Sequence, residues 1–175
     1  MINPSTASYI VDQSLQKSFN AMKLLCECSK YKSDLIKASE YIISSIKSNG
    51  RVFLAGNGGS AADAQHFAAE LVSRFMLDRD PLPAIALTAD TSSLTAISND
   101  YGYEKVFERQ LIGLAKPGDV FIGFTTSGNS KNIINALNAA MKFDIKTIAI
   151  CGENGVNSST PDVLLSVPSS STPNI

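Results

Sequence analysis

The sequence carries almost no net charge, and this limits the partners that it can attract. Its 15 Lys and Arg residues nearly balance its 16 Asp and Glu residues, so the formal net charge of the 175-residue chain is −1. Without an overall positive field, the chain has no general attraction for nucleic acid or for an anionic membrane. No apolar run approaches the roughly 20 residues that a membrane-spanning helix needs. We therefore expect a protein that binds neither nucleic acid nor membrane.

Cysteine is scarce, and the N-terminus lacks the features of a secretion signal. Cys26, Cys28 and Cys151 form neither an even set nor a C-x-x-C pair. We expect all three to be reduced, packed thiols. Residues 1–20 have no basic start followed by an apolar core. Both features favour a cytoplasmic protein.

The composition that is present, 44% hydrophobic and 18% charged, is typical of one globular domain, here spanning residues 1–175. Residues 1 to about 50 look helical throughout, because Leu15, Phe19, Met22 and Cys26 recur at helical spacing. A second helix is predicted within this segment, with Ser33 as its N-cap and Gly50 as its stop.

After residue 50, short apolar runs alternate with helix-length segments. The five runs are RVFLA, PAIALT, DVFIGF, KTIAIC and DVLLSV. Strands that are apolar throughout and are separated by helices indicate a parallel sheet covered on both faces, which is an α/β fold. Ligands of such sheets bind beyond the carboxyl ends of the strands, so the loops that follow the strands are the candidate site.

The first such loop, GNGGS, runs from Gly56 to Ser60. Its glycines allow unusual backbone angles and a close approach by a ligand, and Ser60 is placed to cap the next helix, whose free N–H groups attract an anion. The loop matches neither a P-loop nor a dinucleotide fingerprint. A tight turn without a ligand explains it equally well.

The second loop, TTSGNS, offers four hydroxyls around one glycine at the start of a helix. A capping turn needs only one hydroxyl, whereas several hydroxyls with free N–H groups can enclose a phosphate. The pair of loops therefore favours a small phosphorylated ligand. The hydroxyls belong to Thr125, Thr126, Ser127 and Ser130.

His66, the only histidine, precedes Glu70 by four residues on the predicted helix after the first loop. This spacing places both side chains on one face, with Asp63 and Gln65 pointing elsewhere. The pair suits metal binding, acid–base chemistry or a simple surface hydrogen bond. Further along, Asp100 lies either in a turn or near sugar hydroxyls, and the sequence leaves these two alternatives open.

Three segments together, residues 56–71, 83–104 and 119–137, resemble the phosphoheptose isomerases of the sugar isomerase (SIS) domain superfamily. The resemblance implies a flavodoxin-like three-layer domain with a five-stranded sheet, and a homotetramer built on the N-terminal helices. It also implies isomerisation of sedoheptulose 7-phosphate to D-glycero-D-manno-heptose 7-phosphate for heptose biosynthesis. The four hydroxyls of the second loop would hold the phosphate, and Glu70 would be one acid–base group. Residues expected to contact the sugar are Asn57, Gly58, Ser60 and Asp100.

The resemblance further implies a zinc site with His66 and Glu70 as two of its ligands. In the family, a helix beyond a segment like STPNI supplies a glutamine and a histidine that complete this site, and the histidine is the second acid–base group. The printed sequence ends at Ile175, before that helix, and Asn174 stands where many relatives have arginine. We therefore expect the natural protein to continue past Ile175, and apolar surface to be exposed where that helix would pack.

Two other functions fit parts of the same pattern. One is a non-catalytic SIS-domain protein resembling the DnaA initiator-associating protein, and the other is a module that senses a sugar phosphate without converting it. The non-catalytic relatives keep the glycine loop but lose the glutamate at the position of Glu70. Glu70 therefore favours the enzyme.

Overall fold

The structure, a computed structural model, describes the fold of residues 4–175, with side chains from residue 6 onward. The predicted N-terminal helical segment thus includes residues 1–3, which lie outside the described part. The helices are α1 (Pro4–Glu27), α2 (Ser29–Lys47), α3 (Gly59–Val72), α4 (Thr91–Tyr101), α5 (Val106–Leu114) and α6 (Lys131–Lys142), with short 3₁₀ turns at Tyr103–Lys105 and Thr172–Asn174. The strands are β1 (Val52–Ala55), β2 (Ala84–Ala86), β3 (Val120–Thr125), β4 (Lys146–Cys151) and β5 (Val163–Ser166).

The five strands form one parallel sheet in the order β2-β1-β3-β4-β5. Each predicted apolar run forms a strand, and the strand order is that of the flavodoxin-like fold, so the predicted fold class is confirmed. Strand β1 pairs with β2 on one side and β3 on the other. The chain therefore winds in opposite directions from β1, which creates a switch point between β1 and β3.

Helices cover both faces of the sheet, which gives the three predicted layers. On one face, Phe53 and Phe121 pack in a buried cluster with Phe107 of α5 and Leu137 of α6. On the other face, Val52, Leu54 and Ile122 pack with Ala38 of α2 and with Ala64 and Ala68 of α3. Because successive strand residues point to opposite faces, strands buried on both sides read as continuous apolar runs.

The N-terminal helices differ from the prediction in their ends. Helix α2 starts at Ser29, and Cys28 is its N-cap because the Cys28 Sγ accepts a hydrogen bond from the backbone N–H of Tyr31. The predicted cap, Ser33, lies inside the helix.

The prediction that all three cysteines are packed is partly wrong: Cys151 is buried, but Cys26 and Cys28 are exposed. Burial raises the pKa of the Cys151 thiol.

No helix within residues 4–175 is both long and apolar enough to cross a membrane.

Candidate functional site

The two loops singled out in the sequence meet at the switch point. Strands β1 and β3 are adjacent and parallel, with Ala55 opposite Gly123, so the loops that leave their carboxyl ends lie side by side. A cavity of about 190 Å³ opens between them. Asn57, Gly59 and Ser60 line it from the first loop, and Thr125 and Thr126 from the second.

The first loop depends on glycine at two positions. Gly58 has φ 58° and ψ −122°, which a residue with a Cβ adopts only with strain. A Cβ on Gly56 would lie 2.3 Å from the carbonyl oxygen of Ser60. The N-cap of α3 is Gly58, with no capping bond from a side chain, so the prediction that Ser60 caps this helix is wrong. Ser60 lies in the first helical turn, beside the cavity.

The four hydroxyls of the second loop do not all face one cavity. Thr125 ends β3 with 2% exposure, and its hydroxyl donates to Ser130 Oγ at 3.0 Å. Ser130 is the N-cap of α6 but makes no capping bond through its side chain, and it lines a second cavity, of about 290 Å³. Ser127 is exposed, and its Oγ accepts from the backbone N–H of Asn129. Thr125 and Thr126 alone thus border the cavity between the loops.

Asn57 lies between these two cavities, and two residues missed by the sequence interpretation hold it there. Asn57 exchanges two hydrogen bonds with the side-chain amide of Asn132, at 3.0 and 2.8 Å. The hydroxyl of Tyr103 donates to Asn57 Oδ1 at 2.9 Å. One feature of the sequence could have pointed to Asn132. It lies in the first turn of the helix that follows the hydroxyl loop, and that turn is at the same edge of the sheet as Asn57. Tyr103 had no comparable signal, because the chain reaches it by a helix and a turn.

The predicted pair on α3 is formed. His66 Nε2 and Glu70 Oε1 are 3.0 Å apart, and the side chains are 75% and 36% exposed. Both line a cavity of about 490 Å³ with apolar walls from Phe67, Leu71 and Phe124. Asp63 also lines this cavity, so the prediction that it points elsewhere is wrong. Asp63 precedes His66 by three residues and Glu70 by seven, and this spacing places all three on one face of the helix.

The pair cavity and the loop cavity are neighbours, since Asp63 and Phe124 line both. Gln65, in contrast, points away as predicted, because its side chain donates to the Thr88 backbone and hydroxyl oxygens. A ligand held between the loops therefore lies beside the cavity that contains the carboxylate of Glu70.

Arg79 closes the end of the helix that carries the pair. Its guanidinium donates to the carbonyl oxygens of Glu70 and Leu71 at 2.9 and 2.8 Å. These carbonyls belong to the last turn of α3, where helical partners are lacking and a positive charge is favourable. Arg79 thus fixes the backbone at Glu70.

The metal-binding part of the prediction rests on two residues. Imidazole nitrogen and carboxylate oxygen suit zinc, but protein zinc sites use three or four protein ligands. Within residues 4–175, no three His, Cys, Asp or Glu side chains form a group able to hold a metal ion. The described residues alone do not make a zinc site.

Asp100 lies neither in a turn nor on the wall of a described cavity. It lies in the last turn of α4, so the turn interpretation is wrong. Its side chain is exposed and accepts a hydrogen bond from Asn99 Nδ2 at 2.8 Å. Asp100 lines none of the three cavities described above.

A five-stranded flavodoxin-like sheet with polar loops at its switch point is the architecture of an α/β domain that binds a small ligand at that edge. Residues 19–152 match the family model of the SIS domain. The chain is therefore a SIS-domain protein.

Its relatives define the family more narrowly. The chain is 50% identical to the phosphoheptose isomerase of Sulfurimonas denitrificans over 168 residues, which cover 95% of this chain and 86% of that protein. It superposes on the phosphoheptose isomerase GmhA from Neisseria gonorrhoeae with a TM-score of 0.88 and 39% identity, covering 97% of this chain and 90% of that one. The enzyme from Francisella tularensis gives a TM-score of 0.89, 34% identity and the same coverage. The chain belongs to the phosphoheptose isomerase family.

Proposed function

We propose that this protein is an aldose–ketose isomerase that converts sedoheptulose 7-phosphate to D-glycero-D-manno-heptose 7-phosphate through an enediol. The observation that carries the proposal is the carboxylate of Glu70, which lines a cavity directly beside the two polar loops. Aldose–ketose isomerisation moves a proton between neighbouring carbons, and this needs a positioned acid–base group. The relatives' name, phosphoheptose isomerase, supports the same reaction.

The loops would bind the two ends of the substrate. The start of α6 offers free backbone N–H groups and the hydroxyls of Thr126, Ser127 and Ser130, which suit a phosphate. Asn57, Gly58 and Ser60 would contact the sugar. Asp100, in the last turn of α4, lines none of the three cavities and would contact the sugar only where it extends beyond them. Glu70 would then exchange the proton, in the cavity that it lines together with Phe67, Leu71 and Phe124.

We also retain zinc as a proposed cofactor, with His66 and Glu70 as two of its ligands. A bound zinc ion would polarise the sugar carbonyl. The remaining ligands would come from outside the described residues. A carboxylate that binds the metal is less free to exchange a proton, so the two proposed roles of Glu70 compete. Zinc content and isomerisation rate must therefore be measured separately.

We propose a homotetramer assembled through the N-terminal helices. Helix α1 exposes several large apolar side chains along one stripe, including Leu15, Phe19 and Met22. Such a surface favours association with another copy of the chain. The cytoplasmic location predicted from the thiols and the N-terminus stays a prediction.

The test is an isomerisation assay of the full-length protein, followed by NMR in D₂O. We expect the ketose to be converted to the aldose, with deuterium incorporated at the carbon that receives the proton, because an enediol exchanges protons with solvent. Binding of the sugar phosphate without conversion would favour the sensing module. Absence of both binding and conversion would favour the non-catalytic protein that binds a protein partner.

A further inference from the structure

The side chain of Asn57 is held in one orientation by a buried partner. Asn57 Nδ2 donates to Asn132 Oδ1 at 3.0 Å, and Asn132 Nδ2 donates to Asn57 Oδ1 at 2.8 Å. Asn132 is only 3% exposed. A pair of amides that exchange two bonds would form equally well if both were turned by 180°, so a third group must select the orientation.

That group is the backbone at the start of α6. The N–H of Ile133 donates to Asn132 Oδ1 at 3.0 Å. If the Asn132 amide were turned, its Nδ2 hydrogens would face this N–H, and two donors would be in contact inside the protein. The Ile133 N–H also donates to the Ser130 carbonyl oxygen at 3.0 Å, so it keeps an acceptor in either orientation. Two donors that face each other in the low-dielectric interior repel, and Asn132 therefore keeps its oxygen toward Ile133. Asn57 must then keep its nitrogen toward Asn132 Oδ1.

Tyr103 donates the second hydrogen bond that the side-chain oxygen of Asn57 can accept. A carbonyl oxygen accepts two hydrogen bonds, and an amide nitrogen donates two. Asn57 Oδ1 accepts one bond from Asn132 and one from the Tyr103 hydroxyl, at 2.9 Å. Asn57 Nδ2 uses one of its hydrogens on Asn132. Among the described contacts, one N–H of Asn57 is left for a ligand.

We propose that Asn132 and Tyr103 are positioning residues that make Asn57 a hydrogen-bond donor only. A donor at this place suits the sugar oxygen that gains negative charge as the enediol forms, and it does not suit a hydroxyl that must donate. This inference rests on the proposed function for its chemistry. The orientation of the Asn57 amide stands on the hydrogen bonds alone.

The main test is Tyr103→Phe, which removes one hydroxyl from an exposed side chain and leaves the core intact. Tyr101→Phe is the matched control, because Tyr101 is equally exposed and its ring stacks on Arg109 instead. We expect Tyr103→Phe to lower kcat about 2- to 10-fold with KM nearly unchanged, since one neutral hydrogen bond is lost. Asn57→Ala should lower kcat about 10²- to 10³-fold, as loss of an oxyanion donor does.

The double variant decides whether Tyr103 acts through Asn57. Added to Asn57→Ala, Tyr103→Phe should cause no further loss of kcat. A loss of the same size in both backgrounds, or no loss in either, would overturn the proposal. Asn132→Asp, which replaces the donor facing Asn57 Oδ1 by an acceptor, should lower kcat more than Tyr103→Phe, and thermal unfolding checks that this variant folds.

A second readout separates this inference from the proposed function. The side-chain amide signals of Asn57 are identified in the NMR spectrum by their loss in Asn57→Ala. We expect them to shift in Tyr103→Phe and to stay in place in Tyr101→Phe, without any substrate. Unshifted signals in Tyr103→Phe would overturn the inference even if the wild-type protein isomerises the sugar. If the signals shift in Tyr103→Phe but the wild-type protein does not isomerise the sugar, the proposed function alone would be rejected.

Discussion

At the scale of single residues, the loop after β3 depends on a glycine that no other residue replaces easily. Gly128 has φ 70°, and a Cβ there would lie 1.9 Å from the carbonyl oxygen of Gly155. The neighbouring segment is also bound to it, because the N–H of Asn157 donates to the Gly128 carbonyl oxygen at 3.0 Å. The loop around the proposed phosphate site is therefore packed against backbone that has little room to move.

We predict that Gly128→Ala destabilises the protein by about 1–3 kcal/mol, from the positive φ and the collision with Gly155. Gly113→Ala is the control, because Gly113 lies in α5 with open space around its Cα. That change should stabilise the protein by up to about 1 kcal/mol, since alanine favours helix. Urea unfolding measures both, and equal stability of the two variants would contradict the steric explanation.

Ser127→Ala tests the proposed phosphate site directly. Ser127 is exposed and accepts only a local bond within its own turn, so its loss should change stability little. Loss of one donor to a charged phosphate costs about 1.5–3 kcal/mol, which weakens sugar-phosphate binding about 10- to 100-fold. Titration calorimetry measures the affinity, and an unchanged value would reject Ser127 as a phosphate ligand.

The site could be predicted from the sequence only where chemistry and spacing coincide. Four-residue spacing brought His66 and Glu70 together as expected. The contacts of Asn132 and Tyr103 with Asn57 join residues 75 and 46 positions apart, and no local pattern encodes them. The burial of Thr125 could not be predicted either, because a polar residue at a strand end looks the same in sequence whether it is buried or exposed.

At the scale of structural elements, Asp162 fastens β5 to β4 and α2. Its carboxylate accepts hydrogen bonds from the backbone N–H and the hydroxyl of Thr147, and its backbone carbonyl accepts from Lys37 of α2. Burial raises the pKa of the Asp162 carboxyl, but the hydrogen bonds from Thr147 and the charge of Lys146 together outweigh this and hold the pKa below its ordinary value.

This lowered pKa predicts a pH dependence of stability. A carboxyl whose pKa is lower in the folded state stabilises the protein at pH values above the unfolded pKa of about 3.9, and this contribution is lost as the pH falls through the folded pKa. Asp162→Asn should therefore lose stability at pH 7 and differ less from wild type at pH 3. Unfolding measured across this range gives the result, and a constant difference at all pH values would contradict it.

The elements themselves were easier to predict than their ends. Apolar runs gave all five strands, because a sheet covered on both faces buries every side chain of a strand. The caps were not predictable in the same way: α2 is capped by a cysteine and α3 by a glycine, and serines stood nearby in both cases. Which residue caps a helix depends on where the preceding chain turns, and the position of that turn is determined by how the helix packs on the core.

At the scale of the whole molecule, the apolar surface of α1 bears on assembly. Phe19 is 63% exposed, in a stripe with Leu15 and Met22. Helix α1 contacts the rest of the described chain sparsely, mainly at α2 and the 3₁₀ turn Thr172–Asn174. The proposed tetramer would cover this stripe with helices of other copies.

We predict that Phe19→Asp breaks the proposed tetramer into smaller species, because a charge would be buried without a partner. Gln13→Asp is the control, since Gln13 lies about 120° around α1 from Phe19 and on the far side from Leu15 and Met22. Light scattering during gel filtration measures the mass of each variant. A wild-type protein that is monomeric, or a Phe19→Asp variant that stays tetrameric, would contradict the assignment of this surface.

The most direct test of the whole interpretation is Glu70→Gln in the full-length protein, with Glu40→Gln on α2 as the control. Glutamine keeps the size of the side chain but cannot exchange a proton, and removal of an acid–base group costs about 10²- to 10⁴-fold in rate. The isomerisation rate, zinc content and sugar-phosphate affinity are measured on the same samples. We expect the rate to fall by this factor while the sugar-phosphate affinity is retained, and the zinc content then separates the two proposed roles: retained zinc would assign Glu70 to proton transfer alone. Loss of zinc with activity restored by excess metal would show Glu70 to be a metal ligand instead, and full activity in Glu70→Gln would contradict its role in the reaction altogether.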